Sequence, residues 1–152
     1  MLTDADELTG TWLLQAWELE PDDAAPRHPF GADATGTLVY AADGWMHAAV
    51  ARAGRQPSAA GALRRAPDAE VAEIARSYFS YGGRWWREAD HVVHEVTIAL
   101  DPDMVGSTQR RRVTRDGDDL ELSADEVVDG RRRRHRLRWR RADTVDDEGS
   151  ER

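Results

Sequence analysis

The chain contains no cysteine in its 152 residues, so a disulfide, a thiol nucleophile and a thiolate metal site are all excluded. Lysine and asparagine are missing too, and all 21 basic residues are arginine. Both missing residues use A-rich codons, so the bias reads as a GC-rich bacterial genome rather than as function. No run approaches the roughly 18 apolar residues of a membrane span. Residues 1–10 are acidic, without the basic and apolar parts of a leader. A cytoplasmic protein with no membrane partner is therefore expected. There is no glycine-rich phosphate loop, since Gly31 and Gly36 read as turn glycines, and no serine has a nucleophile-elbow context. His91 and His94 lie three apart on an extended segment and face opposite ways, while His28 and His47 lack ligand-spaced neighbours. Neither a metal nor a cofactor is expected.

What is present fits one domain. The formal net charge of −8 is unevenly placed: residues 1–23 carry seven acids and no base, and residues 142–152 carry five acids and one arginine. An acidic surface of this kind argues against phosphate-backbone binding as the main task. Residues 1–142 are expected to form the domain. Residues 143–152 have almost nothing to bury and read as an acidic, disordered tail.

Strand-like runs recur with turn residues between them. They cover residues 11–20, 35–41, 45–52, 83–88, 91–100, 107–115, 120–124 and 131–141. Asp43-Gly44, Asp116-Gly117 and Asp129-Gly130 punctuate them as tight hairpins do. One helix is expected over about 67–79, between the third and fourth strands. Pro67 suits its first turn, Asp68, Glu70 and Glu73 its positive end, and Gly82-Gly83 its termination. Eight strands joined mostly by short turns predict an all-β, antiparallel up-and-down barrel. At that size it has room for one small ligand. An open sheet curled round the helix is the alternative.

Alternation assigns the faces. On residues 91–100 the inner set is Val92, His94, Val96, Ile98 and Leu100. On the last strand His135, Leu137, Trp139 and Arg141 share a face, while Arg134, Arg136, Arg138 and Arg140 point to water. Arginine at every second position is what a solvated strand shows, so no nucleic-acid partner is expected. The first strand is apolar on both faces. Trp12, Leu14, Ala16 and Glu18 alternate with Leu13, Gln15, Trp17 and Leu19, so one face must pack under the helix, a loop or a second subunit. A homodimer is one way to satisfy it.

Gly10-Thr11-Trp12 resembles the Gly-x-Trp signature of lipocalins, and an arginine closes the last strand as theirs does. The chain is similar, more specifically, to the bacterial and fungal lipocalin-like domain family. The matching stretches include Gly10-Thr11-Trp12 through Trp17-Glu18, His28-Pro29-Phe30-Gly31, Gly36-Thr37-Leu38-Val39-Tyr40, Asp43-Gly44-Trp45-Met46 and Tyr81-Gly82-Gly83-Arg84-Trp85. His94, Pro102, Gln109 and Arg111 continue the likeness. The resemblance implies a lipocalin-like barrel with Trp12 at its closed end and Arg141 (Arg140 as the alternative) across the indole. It implies a small-molecule binder, some barrels of this kind being cyclases or isomerases of specialised metabolism. Trp45, Trp85 and Met104 depart from the commoner family residues and would reshape a pocket.

The inward polar candidates are Glu18, His94, Gln109, Arg111 and His135, with Tyr40, Tyr81 and Trp85 as walls. A purely structural arrangement would pair Glu18 with Arg111 across the barrel and use Gln109 and His94 to satisfy nearby groups. As a ligand site, Arg111 and Gln109 would hold a carbonyl, enol or carboxylate of a largely apolar molecule. As an enzyme, a cofactor-independent cyclase or isomerase of a polyketide-like substrate, His94 or Glu18 would shuttle a proton while Arg111 stabilises an oxyanion. The pocket is expected to open near residues 53–66 or 101–106. A third reading is an interaction module that binds a protein on the outer face of the first strand.

Overall fold

The computed structural model describes residues 7–143, so the expected acidic tail lies, beyond Asp143, outside the described residues. Eight strands form a closed barrel in which each pairs antiparallel with the next and the last with the first. They are β1 (Gly10–Pro21), β2 (Thr35–Tyr40), β3 (Trp45–Ala51), β4 (Tyr78–Glu88), β5 (His91–Ala99), β6 (Thr108–Asp116), β7 (Asp119–Val128) and β8 (Arg131–Arg141). Closure gives every strand two hydrogen-bonded neighbours, which is how an up-and-down barrel avoids edge-to-edge association. The β7–β8 turn is carried by Asp129 at φ 52° and Gly130 at φ 74°, the pair of positive angles that a two-residue hairpin demands.

The helix α1 (Asp68–Arg76) stands between β3 and β4 as expected, but it is shorter than the predicted span. Ser77 closes it by donating its backbone N–H to Glu73 and Ile74. Tyr78 then begins β4 opposite Ala51. The expected strand start at Gly83 is therefore five residues late. Tyr78 and Phe79 are β-formers, and the sheet claims them from the helix. Gly82 and Gly83 do not end a helix. They sit mid-strand, and a Cβ on Gly83 would lie 1.8 Å from the Glu95 carbonyl oxygen. Strand β7 runs to Val128, four residues past its expected end, because its whole length pairs with β8.

Two irregularities in the ladder overturn part of the face assignment. In β1 the register shifts between Leu14 and Ala16, leaving Gln15 as the extra residue of a bulge. Trp12 and Leu14 face the interior before it, Trp17 and Leu19 after it, and Glu18 is turned outward. This removes the puzzle of a strand apolar on both faces, and with it the reason given above for a homodimer. A second shift, at Gly82/Gly83 of β4, opposes three residues of β5, Val96 to Ile98, to those two. Val92, His94 and Val96 are inside as expected, but Ile98 and Leu100 are turned out and are 65% and 47% exposed.

One end of the barrel is closed by Trp12. Its indole N–H donates to the Leu8 carbonyl at 2.9 Å, and the Arg141 guanidinium lies 4.2 Å from its ring centroid. Arg141 also donates to the carbonyls of Thr9 and Glu7. A cation over an indole contributes roughly 0.5–2 kcal/mol. Gly10 has φ 127°, and a Cβ there would meet Arg141 at 2.9 Å. The outer face of β8 is tied to acids on its neighbours: Arg138 to Glu18, Arg136 to Glu20, Arg134 to Asp125 and Arg132 to Asp22. Each exposed pair adds little stability. Together they place a carboxylate beside four of the eight arginines of β8.

Candidate ligand-binding site

His94 is 2% exposed and sits on β5 between two phenols. The Tyr40 hydroxyl, from the end of β2, is 2.6 Å from Nε2, and the Tyr81 hydroxyl, from β4, is 2.6 Å from Nδ1. Trp85 backs Tyr40 at a ring separation of 4.5 Å and donates its indole N–H to the Ala41 carbonyl. Each of these side chains points inward because its strand alternates and its partner residue faces the same way: Trp85 lies opposite His94, and His94 opposite Gln109.

Burial, and then the nearby Arg111 guanidinium, push the His94 imidazole down to about 3, so it is neutral at physiological pH. Burial raises both phenols above their ordinary value, against the opposing pull of Arg111. All three groups are thus uncharged. A neutral imidazole donates once and accepts once. One tyrosine therefore gives its proton to His94 and the other receives the ring N–H. The receiving tyrosine keeps an O–H that His94 does not use, and neither hydroxyl has another partner among the described residues.

Arg111 is half-buried on the inner face of β6. It donates to the Gln109 side-chain oxygen at 3.2 Å and to the Arg110 carbonyl at 3.1 Å, and among the described residues no carboxylate lies within ion-pair distance. Gln109 in turn donates to the Ser107 hydroxyl at 2.9 Å. Arg87 was not singled out from the sequence. It lies two residues beyond Trp85 on the same inner face, opposite Val92, which on its other side pairs with Arg111. It too has no carboxylate partner among the described residues, and its Nε is buried without an acceptor. The available signal was the alternation of β4 itself, carried one step past Trp85.

His135 is inward but belongs to a separate group at the other end of the barrel. Trp17 donates its indole N–H to Nδ1 at 3.1 Å, which places the ring proton on Nε2, 2.8 Å from Glu126. Glu126 also accepts from Arg133 at 2.8 Å. Trp17, Phe30 and Phe79 pack edge to face above it, at ring separations of 5.0 and 5.7 Å from Trp17. Glu18 is corrected outright. The bulge at Gln15 turns it to the outer surface, where it holds Arg138 at 2.7 Å. It neither meets Arg111 nor reaches His94's side of the wall. The structure thus brings together Tyr40, Tyr81, Trp85, His94, Gln109 and Arg111, sets His135 apart, and excludes Glu18. Among the described residues no three His, Asp or Glu side chains converge as a metal would need.

A family model described as lipocalin-like domain matches residues 9–142. The chain belongs to the lipocalin-like domain family. It is 36% identical over 84 residues to the 4'-hydroxy-3'-methoxypropiophenone carrier protein ppsC of Aspergillus oryzae (strain ATCC 42149 / RIB 40), an overlap of 49% of this chain and 76% of the relative. Among solved structures it is similar to the lipoprotein YedD from Klebsiella pneumoniae subsp. pneumoniae MGH 78578, with a TM-score of 0.42 and 14% identity, over 95% of this chain and 79% of that one.

Proposed function

We propose that this lipocalin-like barrel binds and carries a small, largely apolar molecule by an oxygen acceptor, a carbonyl or carboxylate. The observation that carries the reading is a surplus of donors. An unused phenol O–H on the Tyr40–His94–Tyr81 group stands near Arg111, and two inward guanidiniums, those of Arg87 and Arg111, lack a carboxylate among the described residues. Groups arranged in this way are satisfied by an acceptor that the chain itself does not supply. Trp85 and the aliphatic wall of Val92 and Val96 offer apolar cover beside them. The relative named as carrier of an aryl ketone fits a ligand of this kind.

The test is a tryptophan-fluorescence titration with 4'-hydroxy-3'-methoxypropiophenone, and with propylbenzene as a control that lacks the oxygens. The ketone is expected to bind more tightly. Arg111→Ala is expected to weaken it by roughly 10- to 100-fold, the loss of one charge-assisted hydrogen bond, with the circular dichroism spectrum unchanged. Equal affinity for propylbenzene, or an Arg111→Ala Kd matching the parent, would refute the reading.

A second reading, cofactor-independent cyclisation or isomerisation of a polyketide-like substrate, draws on the same relay. A proton that one phenol gives to the substrate is replaced through His94 from the other, and that second phenol is restored by taking up the proton the substrate loses elsewhere in the isomerisation. Turnover of a candidate substrate that is lost in both Tyr40→Phe and Tyr81→Phe, while its binding persists, would favour catalysis over carriage.

A further inference from the structure

We propose that the ligand passes through the side of the barrel, between β6 and β7, and that the opening selects small organic anions by way of Arg111. The inference rests on the small-molecule reading above and adds the route and the charge. Both ends of the barrel are obstructed: Trp12 and Arg141 close one, and the Trp17–Phe30–Phe79 cluster, with Arg52 over Phe30, covers the other. The wall between β6 and β7 is incomplete. Their ladder runs from Asp116/Asp119 only to Arg112/Ser123, leaving residues 108–111 of β6 unpaired with the second half of β7.

A cleft of about 420 Å³ occupies that gap, lined by Gln109, Arg111 and Ser123 and rimmed by Arg110, Arg112 and Arg134. Two other grooves, of about 520 and 500 Å³, lie on the outside of the wall. The first crosses strands that stay paired beneath it. The second follows the parting of β1 from β2, where Leu14 is pressed against Gly36 so closely that a Cβ there would stand 3.2 Å away. The β6–β7 cleft differs from both in the inward-facing side chains of its lining: Gln109 and Arg111 are polar and belong to the candidate site, whereas Leu120 and Trp139 in the first groove and Leu14 in the second are apolar core. Gln109 lies directly opposite His94, and Arg111 acts electrostatically on His94 and both phenols.

The charges of the opening are graded. Arg110 is paired with Glu88, Arg112 with Asp90 and Arg134 with Asp125, while Arg111, set innermost, has no carboxylate among the described residues. An anion drawn toward the rim finds its uncompensated cation at Arg111, and the neutral phenol–imidazole group beyond offers the next donor. A neutral molecule of equal shape lacks that attraction.

The absence of native cysteine makes the route testable by site-specific blocking. Thr108→Cys places a thiol on the cleft, and Ala32→Cys places one on the β1–β2 connection beside Phe30; both positions are exposed. Each variant is labelled with a bulky polyethylene glycol maleimide. Association of 8-anilinonaphthalene-1-sulfonate, and of its neutral counterpart N-phenyl-1-naphthylamine, is then followed by stopped-flow fluorescence. Labelled Thr108→Cys is expected to take up the sulfonate about tenfold more slowly or worse, while labelled Ala32→Cys stays within about twofold of the unlabelled protein. The sulfonate should bind about tenfold more tightly than the neutral dye, and Arg111→Ala should abolish that preference.

Slowing by the Ala32 label alone would overturn the lateral route but leave small-molecule binding standing. Equal affinity for the two dyes would overturn the selection for anions. Failure of the unlabelled protein to bind either dye would overturn both this inference and the reading it rests on.

Discussion

Replacing His94 with glutamine should remove a pH dependence of stability that the imidazole creates. In the native barrel its pKa is about 3, against 6.5 for the ordinary group, first because it is buried and then because Arg111 lies nearby. The unfolded chain takes up a proton on this residue as pH falls below about 6.5, while the native chain does so only near 3, so folding is penalised across the whole interval. The contribution is fully present above the unfolded value and lost as pH falls. Relative to about pH 7.5 the loss is roughly 2 kcal/mol at about pH 5 and on the order of 5 kcal/mol near pH 3. Urea unfolding followed by tryptophan fluorescence, on both proteins at intervals between about pH 7.5 and 5, isolates the effect as a difference in slope. Asp125 and Glu126, held low first by side-chain hydrogen bonds from Arg134 and Arg133, titrate below that interval and are common to both proteins. Glutamine can still bridge the two phenols, so His94→Gln is expected to fold and to lack the 2 kcal/mol decline. Parallel pH profiles would show that the native imidazole is not held neutral, and the proton count behind the donor surplus would fall with it.

Two further substitutions test the bulges. Gly83→Ala forces a Cβ to 1.8 Å from the Glu95 carbonyl oxygen, a clash with backbone that should cost about 3 kcal/mol or more and show as a large fall in Tm. Glu18→Ala removes only an outer ion pair with Arg138 and should cost less than about 1 kcal/mol, leaving ligand affinity untouched in the fluorescence titration. A loss of binding in that variant would place Glu18 inside the barrel and contradict the β1 register.

Strand count, order and closure were legible because they depend on quantities that sequence carries directly: period-two alternation and turn residues at fixed offsets. His94, Gln109 and Arg111 were found inside because β6 and the first half of β5 alternate without interruption. Errors entered where register changes. One residue added to one side of a ladder inverts every side chain beyond it, and nothing in the composition of Gln15 or Thr97 announces the extra step. Glu18, Ile98 and Leu100 were all assigned to the interior by extending a parity past such a point. The helix end failed for another reason: Tyr78 has helical spacing from Ile74, and only pairing with Ala51 decides for the strand.

The first strand did, however, hold a sign of its bulge. Trp12 and Leu14 occupy one parity and Trp17 and Leu19 the other, with the exposed Gln15 between them. A strand apolar on both faces along its whole length calls for two partners, whereas a strand whose apolar parity switches once calls for a bulge at the switch. The second description fits β1, and it needs no second subunit. By the same reasoning, carrying the β4 parity one step past Trp85 would have reached Arg87, whose guanidinium lies, with that of Arg111, across Val92. The two flanking arginines, rather than a carboxylate and an imidazole, set the polarity of the interior. On the proposed function, that sign suits negative charge or a carbonyl dipole, and the outward turn of Glu18 keeps a carboxylate from cancelling it.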